Sequence, residues 1–228
     1  MYLGVDEAGK GPALGPMVAA AVVAAPASLP ADVDDSKRIT PARREAIAAA
    51  IEGDPDVAVG VAAVDPAAID RPDTDMNTLT VRGQARAVRA ALADRSPGVD
   101  EPVRVVADAG DTSEARFARR LRESVADDGN GVPRVDVTAA HGADADDPVV
   151  GAASVVAKVA RDERMAAIDA AYTEYDGLGS GYPSDPATRA FLAAYVDDHG
   201  SLPDCARASW ATCEDVLAAA EQSSLDEF

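Results

Sequence analysis

Short apolar runs along the chain predict a series of β-strands, because each run is bounded by polar or turn-forming residues. The first run, Tyr2 to Val5, stops at two acidic residues, and the next two extend from Pro16 to Val23 and from Val57 to Val64. Gly, Pro and Asp residues separate these runs and predict turns, so we expect three consecutive strands arranged as a meander. Two later runs, Val103 to Ala107 and Val135 to Val137, predict further strands.

Helical periodicity fills most of the remaining apolar segments. The predicted helices begin at Pro41, near Val81, at Pro148, at Pro186 and after Ser209. Three of them open with a capping residue followed by a first-turn proline, as is typical of helix N-termini, and the capping residues are Thr40, Asp147 and Asp185. The helix at Pro148 is expected to run to about Tyr172. Strands followed by alternating helices and strands indicate an α/β fold with a helical C-terminal region at about residues 186–221.

Composition adds an unusually acidic surface to this picture. The 228 residues are 47% hydrophobic, enough for one domain over residues 1–221, with residues 222–228 expected as a flexible tail. The 40 acidic residues exceed the 21 basic ones, which gives a net charge of −19. Because the acidic residues are dispersed along the chain, they indicate a surface adapted to a high-salt cytoplasm, where screening weakens repulsion.

The charge argues against a nucleic-acid partner at low salt, since phosphate binding depends on Lys and Arg. At molar salt the counterion contribution is small, so affinity has to come from hydrogen bonds, stacking and bound metal ions. No apolar stretch approaches the roughly 20 residues of a membrane span, and Cys205 and Cys213 lack the paired spacing of a zinc site. We therefore expect a monomeric, cytoplasmic protein with no membrane contact.

Acidic side chains stand at the ends of the predicted strands. Asp6 and Glu7 follow the first strand, Asp108 follows the fourth, and Asp144 lies just after the last. If these strands are neighbours, their ends meet at one edge, where open α/β sheets place their sites. Clustered carboxylates disfavour joint ionisation unless cations are bound, and oxygen ligands favour Mg²⁺ or Mn²⁺ over zinc. The pattern makes a divalent metal site, of the kind that serves phosphodiester cleavage, one candidate interpretation.

Several motifs help to distinguish a metal site from a solvated acidic surface. Since the chain carries 40 acidic residues, most of them must be surface groups, and position alone does not decide. The segment from Gly4 to Pro12, with Leu14-Gly15-Pro16, is similar to the N-terminal signature of ribonuclease HII. The likeness continues in order through Asp35-Ser36-Lys37, Met76-Asn77, Ala107-Asp108-Ala109, Ala143 to Lys158, Gly179 to Pro183, and Ser209-Trp210. It spans nearly the whole chain and resembles the archaeal branch of the family, here from a halophile.

The resemblance implies a ribonuclease H-like α/β fold, a mixed sheet flanked by helices with a C-terminal helical extension. It implies that Asp6, Glu7, Asp108 and Asp144 are the catalytic residues and hold two Mg²⁺ or Mn²⁺ ions when substrate is bound. The implied activity is hydrolysis of the RNA strand of RNA/DNA hybrids and cleavage 5′ to ribonucleotides embedded in duplex DNA. The implied products carry a 3′-hydroxyl and a 5′-phosphate.

A glycine-rich loop is the predicted ribonucleotide contact. Gly9-Lys10-Gly11 matches the family's glycine-flanked basic motif, usually Gly-Arg-Gly, which contacts the 2′-hydroxyl and the adjacent phosphate. Glycines allow close backbone approach, and the 2′-hydroxyl distinguishes RNA from DNA. Lysine lacks the planar fork of arginine, which leaves the geometry of this contact open. A dinucleotide-binding loop is not favoured, because Leu14 stands where G-x-G-x-x-G needs its third glycine.

Other family-like positions are candidate substrate contacts. Tyr182 matches the tyrosine that stacks beside the junction deoxynucleotide. Five more candidates are Ser36, Lys37, Asn77, Ser154 and Lys158. Lys10, Lys37 and Lys158 are the only lysines of the chain, which favours specific roles for them. His141 is a candidate for assisting water or product movement, although an ordinary loop histidine fits equally well.

The C-terminal segment fits the pattern Q-x-x-L-x-x-F through Gln222, Leu225 and Phe228. One helical turn places Leu225 and Phe228 on the same side, as in the peptides by which replication and repair enzymes bind the sliding clamp. A frayed terminus is the alternative. Two other functions stay open, namely another ribonuclease H-like nuclease such as the HIII type, and a non-catalytic clamp-binding adaptor that kept the fold.

Overall fold

A mixed sheet of five strands is the scaffold of the described part of the chain. The structure is a computed structural model that describes residues 1–31, 33, 39–93, 101–127 and 133–226, the last four by their backbone alone. The strands are β1 (Tyr2–Ala8), β2 (Met17–Ala24), β3 (Ala58–Val64), β4 (Val103–Asp108) and β5 (Val135–Ala140). Their order is β3-β2-β1-β4-β5. Each predicted run forms a strand, and the first three lie side by side as a meander requires.

Strand direction brings polar side chains to one edge of the sheet. β1 is antiparallel to β2 and parallel to β4, and β4 is parallel to β5. The register pairs Val5 with Ala107, so the next residues along the two strands, Asp6 and Asp108, reach the same edge. Parallel strands present their carboxyl ends together, which is the physical reason for this arrangement.

The three helices that were predicted from a capping residue and a proline begin at the predicted prolines, Pro41, Pro148 and Pro186. The α-helices of the described residues are α1 (Pro41–Glu52), α2 (Pro66–Ile69), α3 (Met76–Leu92), α4 (Glu114–Asp127), α5 (Ala143–Asp146), α6 (Pro148–Asp169), α7 (Pro186–His199) and α8 (Ala211–Asp226). Thr40 Oγ1 accepts the Arg43 amide at 3.3 Å, and Asp185 Oδ1 accepts the Ala187 amide at 3.0 Å. α8 continues through residues 222–226, into the segment expected as a tail, because its Ala- and Glu-rich sequence propagates the helix.

Contacts within the chain form two compact units. Unit 1 comprises Met1–Ala8, Val18–Ala63 and Met76–Ala160, and unit 2 comprises Gly9–Met17, Val64–Asp75 and Arg161–Phe228. The single domain expected over residues 1–221 stays a prediction. Among the described residues, none of the helices is long and apolar enough to span a bilayer.

The core of unit 1 is built from small aliphatic side chains, which lets a helix approach the sheet closely. β2 is buried along its whole length and consists largely of Ala and Val. A Cβ at Gly4 of β1 would collide with the backbone of Val149 in α6. Glycine at this position therefore sets the distance between β1 and α6, and with it the position of the side chains that α6 carries beside the strand end.

Unit 2 has a different core, rich in aromatic rings. Tyr172, Tyr175, Phe191 and Tyr195 pack with centroid separations of 5.3–6.0 Å, several of them edge to face. Such pairs contribute about 0.5–1.5 kcal/mol beyond burial of their area. The buried leucines Leu14, Leu178 and Leu192 belong to the same cluster. This core fixes α7 and the loops of unit 2, including the loop after β1.

Candidate metal centre and substrate loop

Three predicted acids lie together in unit 1, at the carboxyl end of β1 and β4. Asp6 is buried, and its Oδ1 accepts the Glu7 amide at 2.7 Å. Burial raises the pKa of Asp6 well above its ordinary value, and the negative charges of Glu7 and Asp108 raise it further. A carboxyl group whose pKa is raised by two neighbouring carboxylates is surrounded by negative charge. Such a cluster is electrostatically suited to a divalent cation.

The fourth predicted acid, Asp144, is connected to this cluster through its neighbour in the chain. The amide of Ala143 donates to Asp108 Oδ1 at 2.9 Å. Gly142 precedes it with φ of 69°, a left-handed conformation that turns the chain from β5 into α5. Asp144 follows directly and is buried. The turn therefore places Asp144 one residue from a group that contacts Asp108.

Gln84, which the sequence analysis did not select, links two of the acidic positions. Its Nε2 donates to Glu7 Oε2 at 2.7 Å and to the backbone oxygen of Asp108 at 3.1 Å. The side chain lies on the inner face of α3 and is fully buried. A glutamine in a helix gives no sequence signal for such a role, because the partners lie 77 and 24 residues away.

The structure places the other unit 1 candidates on the flanking helices. Ser154 on α6 forms a side-chain hydrogen bond to Asp6. Lys158 lies one turn further along α6 and Asn77 lies in the first turn of α3, and both are half-buried. Ser36 and Lys37 lie outside the described residues. Ser154 is thus adjacent to the acidic cluster itself.

His141 is held by its surroundings on the exposed turn after β5. Its Nδ1 lies 3.0 Å from Glu114 Oε1, and its Nε2 lies 2.7 Å from the backbone oxygen of Asp111. Both ring nitrogens are engaged, and the ring is about half exposed. Arg116 donates to Asp111 and lowers the pKa of that carboxyl. These contacts describe a structured turn, and they leave a role in water movement as a prediction.

The donor set of the acidic cluster fits a magnesium or manganese ion. Carboxylate oxygens with no cysteine or imidazole among them are the ligands these hard cations prefer. In the part of the chain that the structure describes, no three acidic, His or Cys side chains are arranged so that they could hold an ion. Two of the carboxylate oxygens have protein donors: Glu7 Oε2 accepts the side-chain amide of Gln84, and Asp108 Oδ1 accepts the backbone amide of Ala143.

The predicted substrate loop belongs to unit 2, where a buried arginine holds its backbone. Arg207 donates to three carbonyl oxygens of the loop, those of Gly15 at 3.0 Å, Lys10 at 3.0 Å and Gly9 at 2.6 Å. The indole of Trp210 donates to the oxygen of Gly11 at 3.1 Å. Burial, together with the positive charge of Arg161, lowers the pKa of Arg207 to about 10.

Arg161, a second buried arginine, completes this arrangement. It donates to the carbonyl oxygens of Pro16 at 3.2 Å and Leu14 at 3.3 Å. Gly9 has φ of 86°, and a Cβ there would collide with the Arg161 side chain. The loop can therefore lie against Arg161 only because residue 9 is glycine. Sequence reasoning missed both arginines, because nothing separates them from the other arginines of the chain.

Tyr182 lies in the same unit and is exposed. The residue is 43% exposed, and the Arg161 guanidinium lies 5.9 Å from the ring centroid. The preceding residue, Gly181, has φ of 80°, and its carbonyl oxygen accepts the amides of Ala13 and Leu14 at 2.8 and 3.2 Å. These hydrogen bonds tie the tyrosine segment to the substrate loop. Stacking on an exposed ring requires no positive charge on the protein.

The clamp-binding candidate is described only in part. Gln222 is exposed on α8. The side chain of Leu225 and the whole of Phe228 lie outside the described residues.

Among the site residues predicted from sequence, the structure brings together Asp6, Glu7 and Asp108 with Ser154. Within unit 2 it brings together Gly9-Lys10-Gly11 and Tyr182.

Comparisons with known proteins agree on one family. A family model described as ribonuclease HII matches residues 3–213. A ribonuclease HII of the halophilic archaeon Haloarcula marismortui is 56% identical over 228 residues, which covers 100% of both chains. The crystal structure of the ribonuclease H2 from Pyrococcus horikoshii OT3 has a TM-score of 0.80 and 30% identity, covering 96% of this chain and 98% of that one. The PCNA:RNase HII complex from Archaeoglobus fulgidus has a TM-score of 0.77 and 30% identity, covering 100% of each chain.

Proposed function

Because the chain belongs to the ribonuclease HII family, we propose that it hydrolyses the RNA strand of RNA/DNA hybrids and cuts 5′ to ribonucleotides embedded in duplex DNA. Membership makes the chain a metal-dependent endonuclease of the ribonuclease H type, and it confirms the predicted archaeal, halophilic family and the predicted fold. It favours this function over the non-catalytic adaptor. The specific substrates and the number of ions are part of the proposal.

The proposed metal ligands are Asp6, Glu7, Asp108 and Asp144. The observation that carries this assignment is the meeting of Asp6, Glu7 and Asp108 at one sheet edge, where burial and then the charges of Glu7 and Asp108 raise the pKa of Asp6. When bound, two Mg²⁺ or Mn²⁺ ions would supply activation of a water molecule and stabilisation of the leaving oxygen. The carboxylates would bind and orient the two ions, and the strand ends keep the carboxylates at fixed positions.

The proposed substrate contacts lie in both helices and loops. Gly9-Lys10-Gly11 binds the ribonucleotide 2′-hydroxyl and the neighbouring phosphate, supported by the way Arg207 and Trp210 draw four loop carbonyls inward. Because its carbonyl oxygens are bound to Arg207 and Trp210, the loop is suited to offer N–H groups and the Lys10 ammonium to an anion. Tyr182 stacks beside the junction nucleotide. Ser36, Lys37, Asn77, Ser154 and Lys158 stay predicted contacts of the backbone or phosphates.

A net charge of −19 means that general electrostatic attraction to phosphate contributes little to binding. Exposed ion pairs with phosphate are screened at molar salt, where the Debye length falls to about 3 Å. The buried guanidinium groups of Arg161 and Arg207 are shielded from that screening by the protein around them. Short-range hydrogen bonds and stacking therefore supply the affinity in this account.

Cleavage of a short DNA duplex that carries one ribonucleotide tests the proposed function. The duplex is end-labelled, incubated in molar KCl with Mg²⁺ or Mn²⁺, and compared with an all-DNA duplex of the same sequence. We expect one cut on the 5′ side of the ribonucleotide, with a 5′-phosphate on the downstream fragment, and no cut in the DNA control. Equal cleavage of both duplexes, or cleavage of neither at any salt concentration, would contradict the proposal.

A second proposed interaction is with a sliding clamp, through Gln222, Leu225 and Phe228. Support comes from the motif and from the similarity to the ribonuclease HII of the PCNA complex from Archaeoglobus fulgidus. The full chain is tested for binding to the clamp beside two variants, Phe228→Ala and the control Ser223→Ala in the same tail. We expect Phe228→Ala to weaken binding at least about tenfold, as loss of a buried aromatic anchor does, and Ser223→Ala to leave it unchanged. Equal binding by the two variants would refute this assignment.

A further inference from the structure

We infer that Gln84 is a positioning residue, which orients the carboxylate of Glu7 and joins it to the end of β4 so that both are set for metal binding. The inference rests on the proposed function, since it concerns how this chain prepares the metal ligands. Gln84 belongs to α3 and is fully buried in unit 1. It is assigned no ligand role itself.

Hydrogen-bond geometry fixes which way the Gln84 amide points. Its Nε2 lies 2.7 Å from Glu7 Oε2 and 3.1 Å from the backbone oxygen of Asp108. Both partners are acceptors, so only the NH₂ end of the amide can face them. The two donor hydrogens thus connect the side chain of Glu7, on β1, with the backbone at the end of β4. One side chain thereby ties together two neighbouring strand ends that carry proposed ligands.

The other end of the amide shows that only the donor end of this residue is used. Gln84 Oε1 is buried and accepts no hydrogen bond from the residues that the structure describes. A buried acceptor without a partner destabilises a fold, whereas an apolar side chain of the same shape avoids that cost. The donor end is consequently the part of the amide that accounts for a glutamine at this position.

A neutral donor is the chemically appropriate partner for a metal-binding carboxylate. A lysine or arginine here would neutralise Glu7 and compete with the cation, whereas an amide holds the carboxylate and leaves its charge unchanged. Groups that hydrogen-bond to metal ligands typically change metal affinity by about 10-fold to 100-fold when they are removed. The expected signature of replacing Gln84 is therefore weaker metal binding in a protein that still folds.

The test compares Gln84→Met with Thr80→Val in the full-length protein. Methionine matches the length of glutamine but donates no hydrogen bond, and Thr80 is a buried polar residue one turn earlier on α3 whose hydroxyl donates to the Met76 oxygen at 2.7 Å. Mn²⁺ affinity is measured by calorimetry in molar KCl, and stability by chemical denaturation in EDTA. We expect Gln84→Met to raise the Kd for Mn²⁺ at least about tenfold. Its metal-free stability should fall only modestly, because Glu7 Oε2 and the Asp108 oxygen lose a donor while the unpartnered Oε1 is removed. Thr80→Val should leave the Kd unchanged.

Two results of the binding measurements would overturn the inference. The first is a Gln84→Met protein that binds Mn²⁺ as tightly as the wild type, and the second is a loss of affinity that Thr80→Val reproduces. If Gln84→Met does not fold, Gln84→Asn, which keeps the amide but shortens its reach, takes its place, and failure of both to fold would show a stabilising role and overturn the inference as well. A wild-type protein that binds no Mn²⁺ would instead refute the proposed metal centre.

Discussion

Replacing Arg207 with methionine removes the three hydrogen bonds by which its guanidinium holds the loop from Gly9 to Gly15. Methionine retains much of the side-chain volume but provides no donor. Because Arg207 is fully buried, the three carbonyl oxygens lose their partners in a place that water does not freely reach. The perturbation therefore acts on the backbone of the substrate loop and on the stability of unit 2.

Two opposing contributions set the size of this effect. Hydrogen bonds from a charged donor contribute about 1.5–3 kcal/mol each. Against them stands the cost of burying the charge beside Arg161, which lowers the pKa of Arg207 from its ordinary value to about 10. At about 1.4 kcal/mol per pKa unit, that shift corresponds to roughly 3 kcal/mol against the charged form. The hydrogen bonds exceed this cost, and we expect Arg207→Met to lower the free energy of unfolding by about 2–5 kcal/mol.

Chemical denaturation in molar KCl measures this loss, with Arg189→Met as the matched control. Arg189 also belongs to unit 2 and also donates to a backbone carbonyl, that of Pro183, but its side chain is exposed. Removing that single exposed contact should change the free energy of unfolding by less than about 1 kcal/mol. If Arg207→Met were no less stable than Arg189→Met, the loop would not depend on the buried arginine and the reasoning would be wrong.

Three further predictions concern packing, pH and salt. Gly4→Ala should destabilise the protein by about 1–3 kcal/mol in the same denaturation assay, because its Cβ collides with the Val149 backbone, and unchanged stability would contradict the close approach of α6. Asp111→Asn should be less stable than the wild type at pH 7, since Arg116 lowers the folded-state pKa of Asp111. This stabilisation is present above the unfolded pKa and is lost as the pH falls through the folded pKa, so denaturation at successively lower pH should show the stability difference shrinking below about pH 4. Cleavage should increase with KCl up to molar concentrations, because screening relieves the repulsion of a net charge of −19, and a steady loss of folding and activity above low salt would refute this.

Local pattern was sufficient to predict most elements of the fold. Strand runs such as Val103 to Ala107 were predicted because apolar runs and the polar or turn residues that bound them are local properties, and β4 forms there. Helix starts were predicted where a capping residue meets a proline, as at Asp185 and Pro186. The bounds of α4 were not predicted, although Phe117, Leu121 and Val125 repeat every four residues on its buried face.

Local sequence pattern did not predict contacts between residues that are far apart in the chain. Asp6, Glu7 and Asp108 became candidates because they end apolar runs, and the resemblance to a known family selected them together with Asp144. Gln84 and Arg207 were not found, since their roles depend on partners 77 and up to 198 residues away. A polar residue that acts by contacting the backbone of a distant loop leaves no periodic or compositional trace. The glycines that make room for such contacts, such as Gly9 beside Arg161, are informative only once the fold is known.

Cleavage by Asp108→Asn, measured against Asp136→Asn, tests the proposed metal centre most directly. Both substitutions remove one carboxylate charge and keep the side-chain size, but Asp108 ends β4 beside Asp6, whereas Asp136 is an exposed residue of β5. The substrate is a duplex with one embedded ribonucleotide, at saturating Mn²⁺. We expect Asp108→Asn to reduce the cleavage rate at least about 100-fold, because one ligand of the ions is lost. We expect Asp136→Asn to cleave at the wild-type rate. Wild-type cleavage by Asp108→Asn would contradict the assignment of this cluster as the metal centre.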